Sequence, residues 1–174
     1  TILAVNKKDK PEEKKSVDLS LAKRVTGNGE GEGDFIFHVS LTGLAKSTQY
    51  EVSDGSSTGG NTTTTSFSSD DYGNADVEVK LKAGAKAVIK GIPVGTKYTV
   101  TEEGGDYFAS YTVEDSNNLG KVNCSNGFSS EKNKELSTSQ ETADEGESVV
   151  VTFTNRIQDT QNLRLVKRVV GSNG

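Results

Sequence analysis

The sequence predicts an all-β sandwich of about seven to nine short strands with long polar loops, on three observations. Val and the aromatic residues recur in short runs that alternate with polar residues, which is the period of a half-buried strand. Gly, Pro, Asn and Asp clusters separate those runs and supply the turns. Hydrophobic residues make up only 31% of the chain, Met and Trp are absent and Gly occurs 19 times, so long polar loops around a thin core are expected. The 174 residues leave room for one domain of about 100–150 residues plus extensions.

The elements follow in order. Residues 1–17 read as the end of a preceding domain or a charged linker, because Lys7 to Lys15 is a run of charges broken by Pro11. The sandwich is expected over 18–160. Its first strand, at 18–26, leads into the Gly/Glu-rich turn 27–33. From Asp34 to Leu41 the alternation sends Phe35, Phe37, Val39 and Leu41 inward and Ile36, His38 and Ser40 outward. Tyr50 to Val52 is short and precedes a Ser/Thr/Gly-rich insertion from Ser53 to Asp70. Val77, Val79 and Leu81 mark the next strand. Ala87 to Lys90 runs into Gly91-Ile92-Pro93-Val94-Gly95, a predicted turn whose proline argues against a central strand there. Strands at 98–102 and 107–113 follow, then a long polar segment from Asp115 to Gly146 that is expected to be irregular, and a last strand at 149–155. Short strands joined by turns in this number indicate a sandwich.

Three of these strands each carry one reactive residue on the apolar face. Leu19, Leu21 and Val25 share a face with Lys23; Tyr98 and Val100 with Glu102; Val149, Val151 and Phe153 with Asn155. Burying a lysine, an acid and an amide is costly unless they are paired or consumed. Taken singly, Lys23 could snorkel from a sheet edge, Glu102 could end its strand in solvent and Asn155 could cap a turn. Glu103 is the adjacent rival for the acid but has outward parity, and Asp34 and Asp106 are weaker rivals.

Other functions find little support. The net charge of −5 gives no basic surface for nucleic acid. The single Cys124 lies in a polar stretch without a nearby His, and reads as a bystander thiol. His38, the only histidine, faces outward, so no nucleophilic triad follows. Scattered acids such as Asp54, Asp70, Asp71, Asp106 and Asp115 match no calcium-loop spacing and read as solvated. The Glu residues of 27–33 would repel phosphate. Asn61-Thr62-Thr63 matches a glycosylation acceptor only weakly. No cofactor or metal is expected. With no start methionine, signal sequence, anchoring signal or membrane-length apolar run, the chain reads as a processed product or a piece of something longer, without membrane insertion.

The ends carry a repeat. Val17 to Gly27 recurs as Gln161 to Gly171, with Leu163, Leu165, Lys167 and Val169 in the places of Leu19, Leu21, Lys23 and Val25. One period plus overhangs is what a slice of a tandem array shows. Residues 161–174 are therefore expected to form the first strand of a following repeat or a strand donated to a neighbouring subunit, with Lys167 as its possible crosslinking lysine.

Leu21-Ala22-Lys23-Arg24-Val25-Thr26-Gly27, the run from Leu81 to Glu102 with its Gly91-Ile92-Pro93-Val94-Gly95 turn, and Val151-Thr152-Phe153-Thr154-Asn155 together resemble the collagen-adhesin B-type (CnaB-like) domains of Gram-positive major pilins and surface adhesins. The resemblance covers about residues 18–156 and implies an immunoglobulin-like sandwich. It implies that Lys23 and Asn155 join in a self-formed isopeptide bond, with Glu102 as the catalytic acid. Burial would deprotonate the lysine and keep the acid protonated, so that Glu102 donates to the Asn155 carbonyl oxygen while ammonia leaves. The reaction would occur once per molecule, so the chain is not expected to be an enzyme. The implied role is a structural module of a pilus shaft or adhesin stalk outside the cell, attached to the wall, partnered by copies of itself or neighbouring repeats. The alternative is an adhesive module binding a host protein or glycan through the loops at 53–76 and 114–146. Against it, those loops hold few aromatics or arginines of the kind that dominate recognition. No cell-wall sorting motif and no sortase-type lysine motif stands out.

Overall fold

The computed structural model describes residues 15–27, 33–54, 64–116, 122–145 and 149–157. Within them twelve strands form two facing sheets and no helix: β1 (Ser16–Gly27), β2 (Phe35–Thr42), β3 (Gln49–Asp54), β4 (Thr64–Ser68), β5 (Asn74–Leu81), β6 (Lys86–Pro93), β7 (Lys97–Glu102), β8 (Phe108–Ser116), β9 (Val122–Phe128), β10 (Leu136–Ser137), β11 (Glu141–Thr142) and β12 (Val149–Ile157). One sheet runs β4-β3-β6-β1-β12-β8-β9. The other runs β10-β7-β2-β5, with β11 also on β7.

The all-β sandwich is the fold class expected, but the strands outnumber the seven to nine anticipated. The surplus lies in the polar segments that the sequence marks as loops. β4 pairs antiparallel with β3, and β9 with β8. β10 and β11 both pair with β7. The Pro93 turn also sits later than expected. β6 continues through Gly91 and Ile92 between β3 and β1, and Pro93 ends it opposite Ser16. The chain then reverses over 93–96, where the Thr96 amide donates to the Pro93 carbonyl at 3.1 Å. A proline as the last residue of a strand costs the ladder little, because the missing donor falls where pairing stops. The flanks 1–14 and 158–174, including Lys167, lie outside the described residues, as do residues 61–63 and the Cys124 side chain.

The first and last strands are neighbours and run parallel. β1 pairs with β12 from Leu19↔Val149 to Gly27↔Ile157, and with β6 antiparallel on its other side. This central pair contributes Leu19, Leu21, Val149, Val151 and Phe153 to the core, all buried. The opposite sheet answers with Phe37, Val39, Leu41, Tyr98 and Val100, also buried. The Phe37 and Phe153 rings meet edge to face with centroids 5.3 Å apart, so the two sheets interdigitate directly beside the polar cluster described next.

Candidate functional site

All three sequence-predicted site residues are buried and come together at one end of the sandwich. Lys23 is 1% exposed, Glu102 1% and Asn155 0%. The expected inward parity holds for each. In the β1–β12 ladder Lys23 lies opposite Phe153, and Val25 opposite Asn155. Lys23 and Asn155 therefore share the inner face as diagonal neighbours, a separation that a long side chain spans. Glu102 enters from the facing sheet as the last residue of β7, flanked in register by Phe37 of β2 and Leu136 of β10. The two-residue β10, in a segment read as irregular, thus closes the outer edge of the strand that carries the acid.

The Lys23 backbone is held on its other side by the turn before β6. Its amide donates to the Ala85 carbonyl at 2.9 Å, and its carbonyl accepts from the Gly84 amide at 3.0 Å. Strand alternation then sends the side chain inward with those of Leu19 and Leu21. There Lys23 Nζ donates to Glu102 Oε1 at 2.5 Å, and Asn155 Nδ2 donates to the same oxygen at 2.8 Å. One carboxylate oxygen bridges the two nitrogens. Glu102 Oε2 and Asn155 Oδ1 are buried without a partner.

Aromatic rings wall the cluster. Lys23 Nζ lies 4.3 Å from the Phe35 ring centroid, 5.5 Å from that of Tyr107 and 5.8 Å from that of Phe37. Phe35 and Phe37 were expected to face inward. Tyr107 was expected to open the strand at 107–113, with the parity of Tyr111 and Val113; in the structure it stands half-buried just before β8.

Burial sets the protonation states. Desolvation lowers the Lys23 pKa from 10.5 to about 8, against the opposing pull of Glu102. Desolvation likewise raises Glu102 above 4.5, opposed by the Lys23 charge and by hydrogen bonds from Lys23 and Asn155. Both shifts favour the uncharged pair, an amine beside a carboxylic acid. Where the three side chains have not reacted, the signs give a test. Between about pH 8 and 10.5 the unfolded chain holds the Lys23 proton and the folded one does not, so this group makes stability rise with pH across that window. Glu102 acts oppositely: the folded state keeps its proton above pH 4.5, and its contribution falls as pH rises through the folded-state value. Between pH 8 and 10 the urea midpoint of Asn155→Ala, which keeps the pair unreacted, should rise relative to that of Lys23→Ala, which lacks the titrating amine.

The rival acids stand elsewhere. Glu103 is exposed and meets His38 Nε2 at 2.9 Å on the outer surface. Asp34 is exposed, and Asp106 pairs at the surface with Lys132 at 2.9 Å. Among the described residues no group of three His, Cys, Asp or Glu side chains could hold a metal, and no helix is long and apolar enough to cross a membrane.

No functionally curated protein matches the chain in sequence. Among solved structures, the major pilin of Streptococcus pyogenes is 26% identical with a TM-score of 0.64, over 82% of this chain and 48% of the pilin. A variant of that pilin with one asparagine replaced by alanine is 27% identical with the same TM-score and coverage. A pilus-presented adhesin, Cpa, shares the fold at 20% identity and a TM-score of 0.52, over 83% of this chain and 28% of the adhesin. The chain spans about half the length of the pilins it matches. These neighbours are CnaB-type pilin domains, the type that the sequence motifs resemble. Residues 17–157 match the family model described as Domain of unknown function (DUF7601), and the chain belongs to that family.

Proposed function

We propose that this chain is a structural module of a pilus or other surface fibre, locked from within by an isopeptide bond between Lys23 and Asn155 that Glu102 assists. The observation that carries the reading is the single Glu102 oxygen shared by Lys23 Nζ and Asn155 Nδ2 in a buried, aromatic-walled pocket. The neutral Lys23 amine attacks Asn155 Cγ, the Nζ–Cγ bond forms, and the Cγ–Nδ2 bond breaks. The protonated Glu102 gives its proton to Nδ2, which leaves as ammonia, and takes in its place the proton lost by Nζ, so the acid is regenerated. Asn155 Nδ2 donates to Glu102 Oε1 here, and turning the amide over about its last side-chain bond presents the carbonyl oxygen to a protonated Glu102, the contact of the sequence expectation. Folding alone brings the groups together, so proximity replaces an energy source, and the chain turns over nothing.

The topology suits a load-bearing role. β1 and β12 are parallel neighbours, so tension along the chain shears their ladder directly. A covalent bond across that ladder carries the load and leaves the roughly 130 residues between the crosslinked positions unstretched. The pilin likeness supports display on the cell surface, in a wall-attached fibre built with copies of itself or neighbouring repeats. On the same reading Lys167 opens a following repeat. Adhesive recognition of a host ligand has less support, since among the described residues only Tyr72 and Phe128 are exposed large apolar side chains. Peptide mapping after full denaturation tests the bond. A branched peptide joining the Lys23 and Asn155 segments is expected, and recovery of both as separate linear peptides would refute it.

A further inference from the structure

The fully buried Lys23–Glu102 pair is bordered by the half-buried Tyr107, on a segment that has no part in the crosslinking chemistry itself. Beyond Glu102 the chain passes through Glu103-Gly104-Gly105-Asp106-Tyr107 before entering β8. Tyr107 folds back over this segment. Its hydroxyl donates to the Glu103 carbonyl at 2.7 Å, and its amide donates to the Gly105 carbonyl at 2.7 Å. The ring then packs on Phe35 with centroids 5.7 Å apart, its own centroid 5.5 Å from Lys23 Nζ.

Two glycines make that placement possible. A Cβ on Gly105 would fall 2.3 Å from Tyr107 Cε1, so the ring can lie against the loop only when residue 105 has no side chain. A Cβ on Gly104 would fall 2.5 Å from the Asn133 carbonyl carbon, so that glycine admits the neighbouring 131–134 turn. The turn is pinned by the Asn133 amide donating to the Gly105 carbonyl at 2.8 Å, with Asn133 in the left-handed region at φ 57. Lys132 reaches across to Asp106 at 2.9 Å. Two loops distant in sequence therefore clasp each other over the end of the pocket.

We propose that Tyr107 is a positioning residue for the crosslinking reaction: its ring, set in place by Gly104 and Gly105 and backed by the 131–134 turn, seals Lys23 and Glu102 from water. The inference rests on the isopeptide reading above. An amine and a carboxylic acid in contact interconvert with an ammonium–carboxylate pair by moving one proton, and water favours the charged pair. Only the uncharged pair reacts. A sealed pocket therefore raises the reactive fraction, and an open one lowers it. The titratable groups facing this centre are Lys23 from β1, Glu102 from β7 and Tyr107 itself, with Glu103 at the rim. β2 and β12 contribute Phe35, Phe37 and Asn155, which do not titrate.

The test is a refolding time course on the full chain. Wild type and variants are recovered unfolded and unreacted from inclusion bodies, diluted from guanidinium, and followed by intact mass from pH 5 to 10. Tyr107→Phe keeps the ring but loses the hydroxyl that ties it to the Glu103 carbonyl, and should crosslink at a rate between those of wild type and Tyr107→Ala. Tyr107→Ala should slow the reaction by about tenfold or more, the worth of one unit of pKa. Its pH–rate plateau should also be lower and wider, because a wetter pocket moves the acid limit down and the base limit up. A purely structural part would reduce the folded yield while leaving the plateau limits in place, and that result overturns the proposal, as does a wild-type rate for Tyr107→Ala. Should Tyr107→Ala fail to fold, Tyr107→Leu, apolar but too small to cover the rim, carries the same comparison. If the isopeptide reading is itself wrong, wild type never loses ammonia, which separates the two failures.

Discussion

Asn155→Ala is expected to leave the purified chain at its full sequence mass and to lower its stability by roughly 5 kcal/mol, the chain-entropy worth of closing a loop of more than about 100 residues. For a domain of this size that corresponds to a fall in melting temperature of about 10–20 °C. The loss comes almost wholly from the missing covalent bond, because the truncation removes one buried amide whose hydrogen bond is worth only about 1 kcal/mol. Lys23→Ala should likewise keep the full mass of its own sequence and melt at least as low. It also removes the buried lysine stem, and truncating a long core side chain to Ala costs about 2–5 kcal/mol on its own. Thermal melts of both variants beside wild type, each sample checked by intact mass, give the comparison. Equal melting temperatures would mean that no covalent bond links β1 to β12.

The second large effect concerns rate. Glu102→Gln preserves the size of the side chain and can still accept from Lys23 Nζ, so the fold should survive. It cannot carry a proton from Nζ to Nδ2, and general acid–base assistance is worth about 10²–10⁴-fold. The variant should therefore fold and remain unreacted over times in which wild type is complete. Glu103→Gln is the matched control, since Glu103 is exposed and faces His38 rather than the pocket. It should react at the wild-type rate. Crosslinking of Glu102→Gln at that rate would remove Glu102 from the chemistry.

The candidate site was legible because strand alternation is a strict code. Once Leu19 and Leu21, Tyr98 and Val100, and Val151 and Phe153 are assigned inward, the parity of Lys23, Glu102 and Asn155 follows, and the structure buries all three. That code does not say which strands adjoin. The parallel β1–β12 ladder, which makes Lys23 and Asn155 diagonal neighbours, is a tertiary fact that the sequence conveyed only through the resemblance.

The strands that patterning missed share a cause. β4 (Thr-Thr-Ser-Phe-Ser) buries none of its side chains fully, and β10 and β11 are two residues each. They are held by ladder hydrogen bonds to an existing edge rather than by a buried face, so no apolar period marks them. Their Ser and Thr residues read equally well as loop. Tyr107 had the inward parity of Tyr111 and Val113, but the contacts that hold its ring were not legible, because Gly105 and the 131–134 turn meet only in the folded chain. The orientation of the Asn155 amide likewise depends on the position of Glu102 Oε1 in the opposite sheet.

A bond between Lys23 and Asn155 formed with loss of ammonia is read out by the intact mass of the purified wild-type chain under denaturing conditions. That mass should be lower than the sequence mass by one ammonia, whereas Lys23→Ala and Asn155→Ala should each weigh what their own sequences do. A wild-type chain at its unmodified sequence mass would contradict it.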